Sequence, residues 1–289
     1  MGPEIGRVRL NLSGRPTSPQ HPEGCEALPA LLVLTADEPD WTHLLDDARE
    51  KIALLVGASP EEIVLTSGGA EASSAAVKGI ALAALARSGP GRILLAAVEH
   101  APIHNAVRSL EAHGFETVTI QADGAGRVDA ARFVRALQDG AAFAALQWAN
   151  DEFGTLQPTG QVARAAHEAG VPLVVDATAA AGWVGIDLSA VPISALSLSS
   201  RRMGGPPGVG ALVLHAETGW RPLIEGGTES EGRRGGMLHP ALVAAFGITA
   251  AAARHELARR AARATELRDA LQSGLEAQLP GIRTRGPGG

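Results

Sequence analysis

The chain of 289 residues is long enough for one large α/β domain with a substantial core, and its 45% apolar and 19% charged residues are ordinary for a soluble globular protein. A net charge of −6 excludes the basic footprint of a nucleic-acid binder, and the longest apolar runs, 27–36 and 240–253, fall short of the ~18 residues of a membrane span. One cysteine, Cys25, excludes an intramolecular disulfide and a multi-cysteine zinc site, so a reducing cytoplasmic setting is expected, with no export signal or lipid anchor.

Residues 1–40 are rich in Pro, Gly and Ser, and Pro3, Pro16, Pro19, Pro22 and Pro29 predict an extended arm. From Trp41 the spacing of Leu44, Leu45, Ala48, Ile52 and Leu55 places them on one helix face. A short buried strand over 63–65 runs straight into T-S-G-G-A-E-A and a helix through 86. Such a strand–glycine–helix join exposes the unpartnered first N–H groups of the helix and the positive end of its dipole, which together make an anion site. The alternative is an ordinary turn with Ser67 as the helix cap. Beyond it, strands over 92–96, 117–120, 142–146 and 171–175 alternate with helices over 103–112, 129–137 and 160–169. This order predicts a doubly wound, mostly parallel sheet with helices on both faces. Ligands of such sheets gather at the carboxyl ends of the strands. The residues there are Gly68 and Gly69, Glu99 and His100, Asn150 and Asp151, Asp176, and then Ser199 to Arg202.

The stretch 196–210, L-S-L-S-S-R-R-M-G-G-P-P-G-V-G, reads as a strand end, a glycine-proline turn and the start of another strand. Its hydroxyls, the guanidiniums of Arg201 and Arg202, and glycines that admit close backbone approach suit a phosphate-like anion; a basic surface turn is the other reading. A second glycine-dense turn covers 226–236, and after Pro240 one long helical pattern runs to about Leu279.

Six segments stand in a fixed order: T-S-G-G-A-E-A at 66–72, V-E-H at 98–100, A-N-D-E-F-G-T-L-Q-P at 149–158, V-D-A at 175–177, S-L-S-S-R-R-M-G-G-P-P-G-V-G-A-L at 197–212, and L-I-E-G-G-T-E-S-E-G-R-R-G-G at 223–236. In order and spacing they resemble the pyridoxal-phosphate-dependent cysteine desulfurases of the class V aminotransferase group. The resemblance implies the large domain of fold type I, with a mostly parallel seven-stranded sheet over 41–240, preceded by an arm over 1–40 and followed over 241–289 by a long helix and the start of a truncated small domain. It places Gly69 and Ala70 where backbone amides hold the cofactor phosphate, Ser199 where a hydroxyl does so, and His100 where an imidazole stacks on the pyridine ring. It matches Asp176 to the carboxylate that pairs with the ring nitrogen and Asn150 to the amide that reaches the ring oxygen and the substrate carboxylate.

The departures from the family are equally specific. Arg201 and Arg202 stand where the resemblance expects His-Lys, and a guanidinium with a pKa above ~12 supplies no free amine for a Schiff base. The only lysines, Lys51 and Lys78, fall within predicted helices. Ala70, Ala179 and Met237 replace a threonine, a glutamine and another threonine of the family. The resulting expectation is a catalytically inactive relative that serves as a scaffold or regulatory partner, as a homodimer or paired with a desulfurase homologue, with pyridoxal phosphate held without a covalent link or with no cofactor. Two rivals stand beside it: a pyridoxal-phosphate-binding desulfurase or related lyase or transferase that holds the cofactor non-covalently or is completed by a second chain, and a binder of another anionic metabolite. A buried Asp176 without a cofactor calls for a cation, and Arg202 is the expected partner.

Overall fold

The computed structural model describes residues 22–37, 41–226, 232–279 and 281–282. Seven strands form one sheet: β1 (Ile63–Thr66), β2 (Arg92–Ala96), β3 (Glu116–Ile120), β4 (Phe143–Ala145), β7 (Leu173–Asp176), β8 (Ala195–Ser199) and β9 (Gly210–Leu214). A separate hairpin pairs β5 (Ala149–Asn150) with β6 (Thr155–Leu156). In space the order is β3-β2-β4-β7-β8-β9-β1. Every pair from β3 to β8 is parallel, whereas β9 runs against both of its neighbours. The short 200–209 connection allows only that antiparallel return, since a parallel crossover needs a dozen residues or more.

Side chains alternate between the two faces of the sheet. Ile93 and Leu95 of β2 pack with α3 (Gly69–Ser88) and α4 (Ala101–Leu110). Leu94 and Ala96 face the other way, toward α2 (Thr42–Val56), α5 (Ala130–Gln138), α6 (Thr159–Glu168) and α8 (Pro240–His255). Asp129 starts α5 by accepting from the amides of Ala131 and Arg132, a side-chain cap worth about 1 kcal/mol. Among the described residues no helix is long and apolar enough to cross a membrane.

Two expectations fail. The extended arm fails over its second half, where residues 22–37 form α1 (Pro22–Asp37) with Pro29 inside it; residues 1–21 lie outside the described residues. An interior proline costs a helix about 3 kcal/mol, and packing against α8 offsets it. Buried Gly24 sits so close to Ala245 and Thr249 that a Cβ there would come within 2.3 Å of Thr249 Oγ1. The single long helix after Pro240 is two helices. Buried α8 belongs to the core, and after Glu256 the chain restarts as α9 (Leu257–Gln278), which buries no residue. The break lets Arg260 lie over the Trp183 ring, 4.1 Å from its centroid, and donate to the Met203 carbonyl at 3.0 Å.

Candidate functional site

The carboxyl ends of β1, β2, β7 and β8 meet at one edge, where a cavity of about 240 Å³ opens. Its walls come from the start of α3 (Ser67 to Ala70), from His100 and Pro102, from Thr178, and from Ser199, Arg201, Arg202 and the 207–209 turn. Six expected site residues therefore share one space: Gly69, Ala70, His100, Ser199, Arg201 and Arg202. Two larger clefts, of about 470 and 360 Å³, lie at the opposite end of the sheet around Pro192, Ile193 and His215. They hold none of the candidate site residues.

The α3 start is open because nothing caps it. Gly68 is the N-cap residue and no side chain bonds the first turn, so the alternative with Ser67 as cap is excluded; the Ser67 amide instead donates to Glu71 Oε2 at 2.8 Å. The leading amides of this 20-residue helix face the cavity unsatisfied by a cap. The backbone there is packed tightly from behind. A Cβ on Gly69 would fall 2.7 Å from Thr178 Cγ2, and one on Gly210, at the start of β9, would fall 2.6 Å from the Gly68 carbonyl carbon.

Glu71 also anchors a neighbouring loop. Arg234 Nε lies 2.9 Å from Glu71 Oε1. Burial pushes the Glu71 carboxyl up, but the Arg234 guanidinium and the Ser67 amide and hydroxyl together hold it below its usual value.

Asp176 ends β7 and is 3% exposed. Its Oδ1 accepts the Thr178 amide at 2.8 Å, whereas its Oδ2 is buried without a hydrogen-bond partner. His100 faces it, with Nδ1 3.8 Å from Oδ2. The expected Asp176–Arg202 pair does not form. Arg202 sits on α7 (Ser200–Met203), and its Nη1 meets Asp151 Oδ2 at 2.6 Å. Its carbonyl accepts the Trp183 indole N–H at 3.1 Å. Adjacent strands brought residues 176 and 202 to the same edge, but the helical turn after β8 carries the guanidinium to the β5–β6 hairpin instead.

Asn150 does not line the cavity. Its Oδ1 accepts the amides of Glu152 and Phe153 at 3.0 and 2.8 Å, and its Nδ2 donates to the Val98 carbonyl at 3.3 Å. It organises the hairpin turn. Met237 is 74% exposed. Lys51 pairs with Asp47 on α2 at 2.5 Å, and Lys78 lies within α3; neither reaches the cavity.

Two residues had no assigned role from the sequence. Thr178 packs directly behind the α3 amides and lines the cavity; a threonine after a strand carries no distinguishing pattern. Glu99 has a strand-end position beside His100 as its only signal. It is buried, its Oε1 accepts the Gln147 amide and its Oε2 has no partner. Burial, and then the negative charge of Asp176, push its carboxyl well above the usual range.

Residues 36–288 match the family described as Aminotransferase class-V. An IscS-like cysteine desulfurase of Mycobacterium tuberculosis (strain ATCC 25618 / H37Rv) is 35% identical over 284 residues, which cover 93% of this chain and 72% of that protein. The cysteine desulfurase IscS of Dictyoglomus turgidum (strain DSM 6724 / Z-1310) is 31% identical over 279 residues, covering 94% and 70%. Among solved structures, DndA from Streptomyces lividans superposes with a TM-score of 0.82 at 26% identity, over 87% of this chain and 74% of that one. SspA in complex with cysteine gives a TM-score of 0.76 at 28% identity, over 81% and 70%.

Proposed function

The chain belongs to the class V aminotransferases and, within them, to the cysteine desulfurase family; from that premise we propose that it holds pyridoxal phosphate reversibly in the cavity at the strand ends and does not desulfurate cysteine by itself. The observation that carries this reading is residue 202. Where the family's lysine is expected the chain places a guanidinium ion-paired to Asp151 at 2.6 Å. That group stays charged and offers no amine.

The family implies pyridoxal phosphate, and the residues present fit a non-covalent hold. The uncapped amides of Gly69 and Ala70, with the Ser199 hydroxyl and Arg201, would hold the phosphate. Asp176 Oδ2, a buried acceptor without a donor, would take a protonated ring nitrogen, and His100 at the cavity wall would cover the ring. When bound, the cofactor supplies an electron sink through that protonated ring. A covalent hold does not fit, since neither lysine lines the cavity. The same reading gives the chain the role of a scaffold or regulatory partner in a dimer, with a second copy or with a desulfurase homologue. Native mass of the purified protein, alone and mixed with such a homologue, tests the pairing.

The cofactor reading is tested by titrating the protein with pyridoxal phosphate while following ring absorbance and tryptophan fluorescence, then dialysing, and separately treating with borohydride. Saturable binding is expected, lost on dialysis, with no added mass on the peptide carrying residue 202 and no sulfide from cysteine. Arg202→Lys is expected to gain that borohydride-fixed mass. Sulfide release by the unmodified chain alone, or a cofactor that survives dialysis covalently, overturns the reading.

A further inference from the structure

The two guanidiniums lining the cavity are not equivalent. The Arg201 side chain is exposed and has no ion-pair or hydrogen-bond partner among the described residues. The Arg202 side chain is 12% exposed and that of Asp151 25%, and their 2.6 Å contact is a charge-assisted bond that solvent still reaches. Both ends of that contact are mounted rigidly. Asp151 stands in a turn closed by the two amides that donate to Asn150 Oδ1 and by Gly154 at φ +69°. The hairpin behind it is tied down by Thr155 Oγ1, which donates to the Ala125 carbonyl at 2.6 Å, and by Gln157, which bonds the Val128 amide and the Gly126 carbonyl. On the other side, Trp183 holds the Arg202 carbonyl and Arg260 holds the next one.

We propose that Asp151 is a specificity-determining residue that keeps carboxylate-bearing ligands out of this cavity, by seating its own carboxylate on Arg202 where a ligand's carboxylate would bind. A carboxylate is the natural complement of a guanidinium fork. An entering one must displace a preorganised rival and then sit beside its negative charge. A phosphate does not meet this obstacle, because the α3 amides and Arg201 receive it. The ligand class admitted is thus a phosphate monoester without a neighbouring carboxylate, and an amino acid or its conjugate with such an ester is rejected. The phosphate half rests on the function proposed above, and the Asp151 half stands on the ion pair alone.

The test uses malonate and inorganic phosphate as probes, titrated calorimetrically at constant ionic strength into the unmodified chain, Asp151→Asn and Asp151→Ser. Either replacement takes the Asp151 carboxylate off the Arg202 guanidinium. Malonate affinity is expected to rise at least about tenfold in both variants, with phosphate changing by less than about threefold. Malonate affinity unchanged in both variants overturns the proposal, as does phosphate rising in step with malonate, which marks a general charge effect. Should pyridoxal phosphate fail to bind the unmodified chain, the cofactor reading falls, and the malonate comparison still decides the role of Asp151. Two different replacements guard against one that fails to fold, with thermal melts as the control.

Discussion

Replacing Asp176 with asparagine should move ligand affinity and intrinsic stability in opposite directions. Asn keeps an Oδ1 to accept the Thr178 amide, now 2.8 Å away, so the turn after β7 survives. The change falls on Oδ2, which is buried without a hydrogen-bond partner, 3.8 Å from His100 Nδ1 and in the field of Glu99. A hydrogen bond to a charged group contributes about 1.5–3 kcal/mol. Losing the bond to a protonated ring nitrogen should therefore weaken pyridoxal phosphate binding about 10- to 150-fold. Without ligand the sign reverses, because the substitution removes a buried charge that has no donor on one oxygen. A gain of about 1 kcal/mol is expected, or about 2–4 °C in Tm for a chain of this size. The assays are a fluorescence titration with pyridoxal phosphate and a thermal melt of the ligand-free protein. If Asp176 merely caps its turn, affinity stays within about twofold and Tm does not rise; that pair of results would refute the reasoning.

Glu99 gives a pH signature. Its folded carboxyl is raised by burial and by Asp176, so its contribution to stability is complete below the unfolded carboxylate pKa and is lost as pH rises through the raised folded value. Denaturant midpoints measured from pH 5 upward should decline in the unmodified chain, and Glu99→Gln should flatten the decline. Trp183→Phe removes the indole donor to the Arg202 carbonyl and weakens the stacking with Arg260. It should cost about 1–2 kcal/mol in urea unfolding, and an unchanged midpoint would show that this contact contributes nothing.

Much of the frame was legible because it follows from strong local patterns. Apolar strands separated by amphipathic helices of ordinary length specify a doubly wound sheet, and the glycines after β1 announce a helix start where a backbone must come close. What the sequence hid depended on tertiary packing or on direction. Prolines 22 and 29 argued against a helix whose stability comes from its fit against α8. Strand order brought Asp176 and Arg202 to one edge, but which cation meets which carboxylate was decided by the four-residue turn after β8 and by the hairpin carrying Asp151. Asn150 stands among the expected ligand-contacting residues by position, yet its Oδ1 closes its own turn and its Nδ2 reaches the Val98 carbonyl. Glu99 sat in plain view beside His100, but only burial gives its carboxyl an unusual charge state.

The first turn of α9 has a practical implication for anyone shortening this protein. The helix looks dispensable, since none of its residues is buried. Yet Arg260 reaches from it to the Trp183 ring and the Met203 carbonyl, so a truncation just after α8 would unfasten the floor beneath residue 202. A cut after residue 263 would spare that fastening, and the remaining turns could be trimmed, fused or replaced at no expense to the cavity.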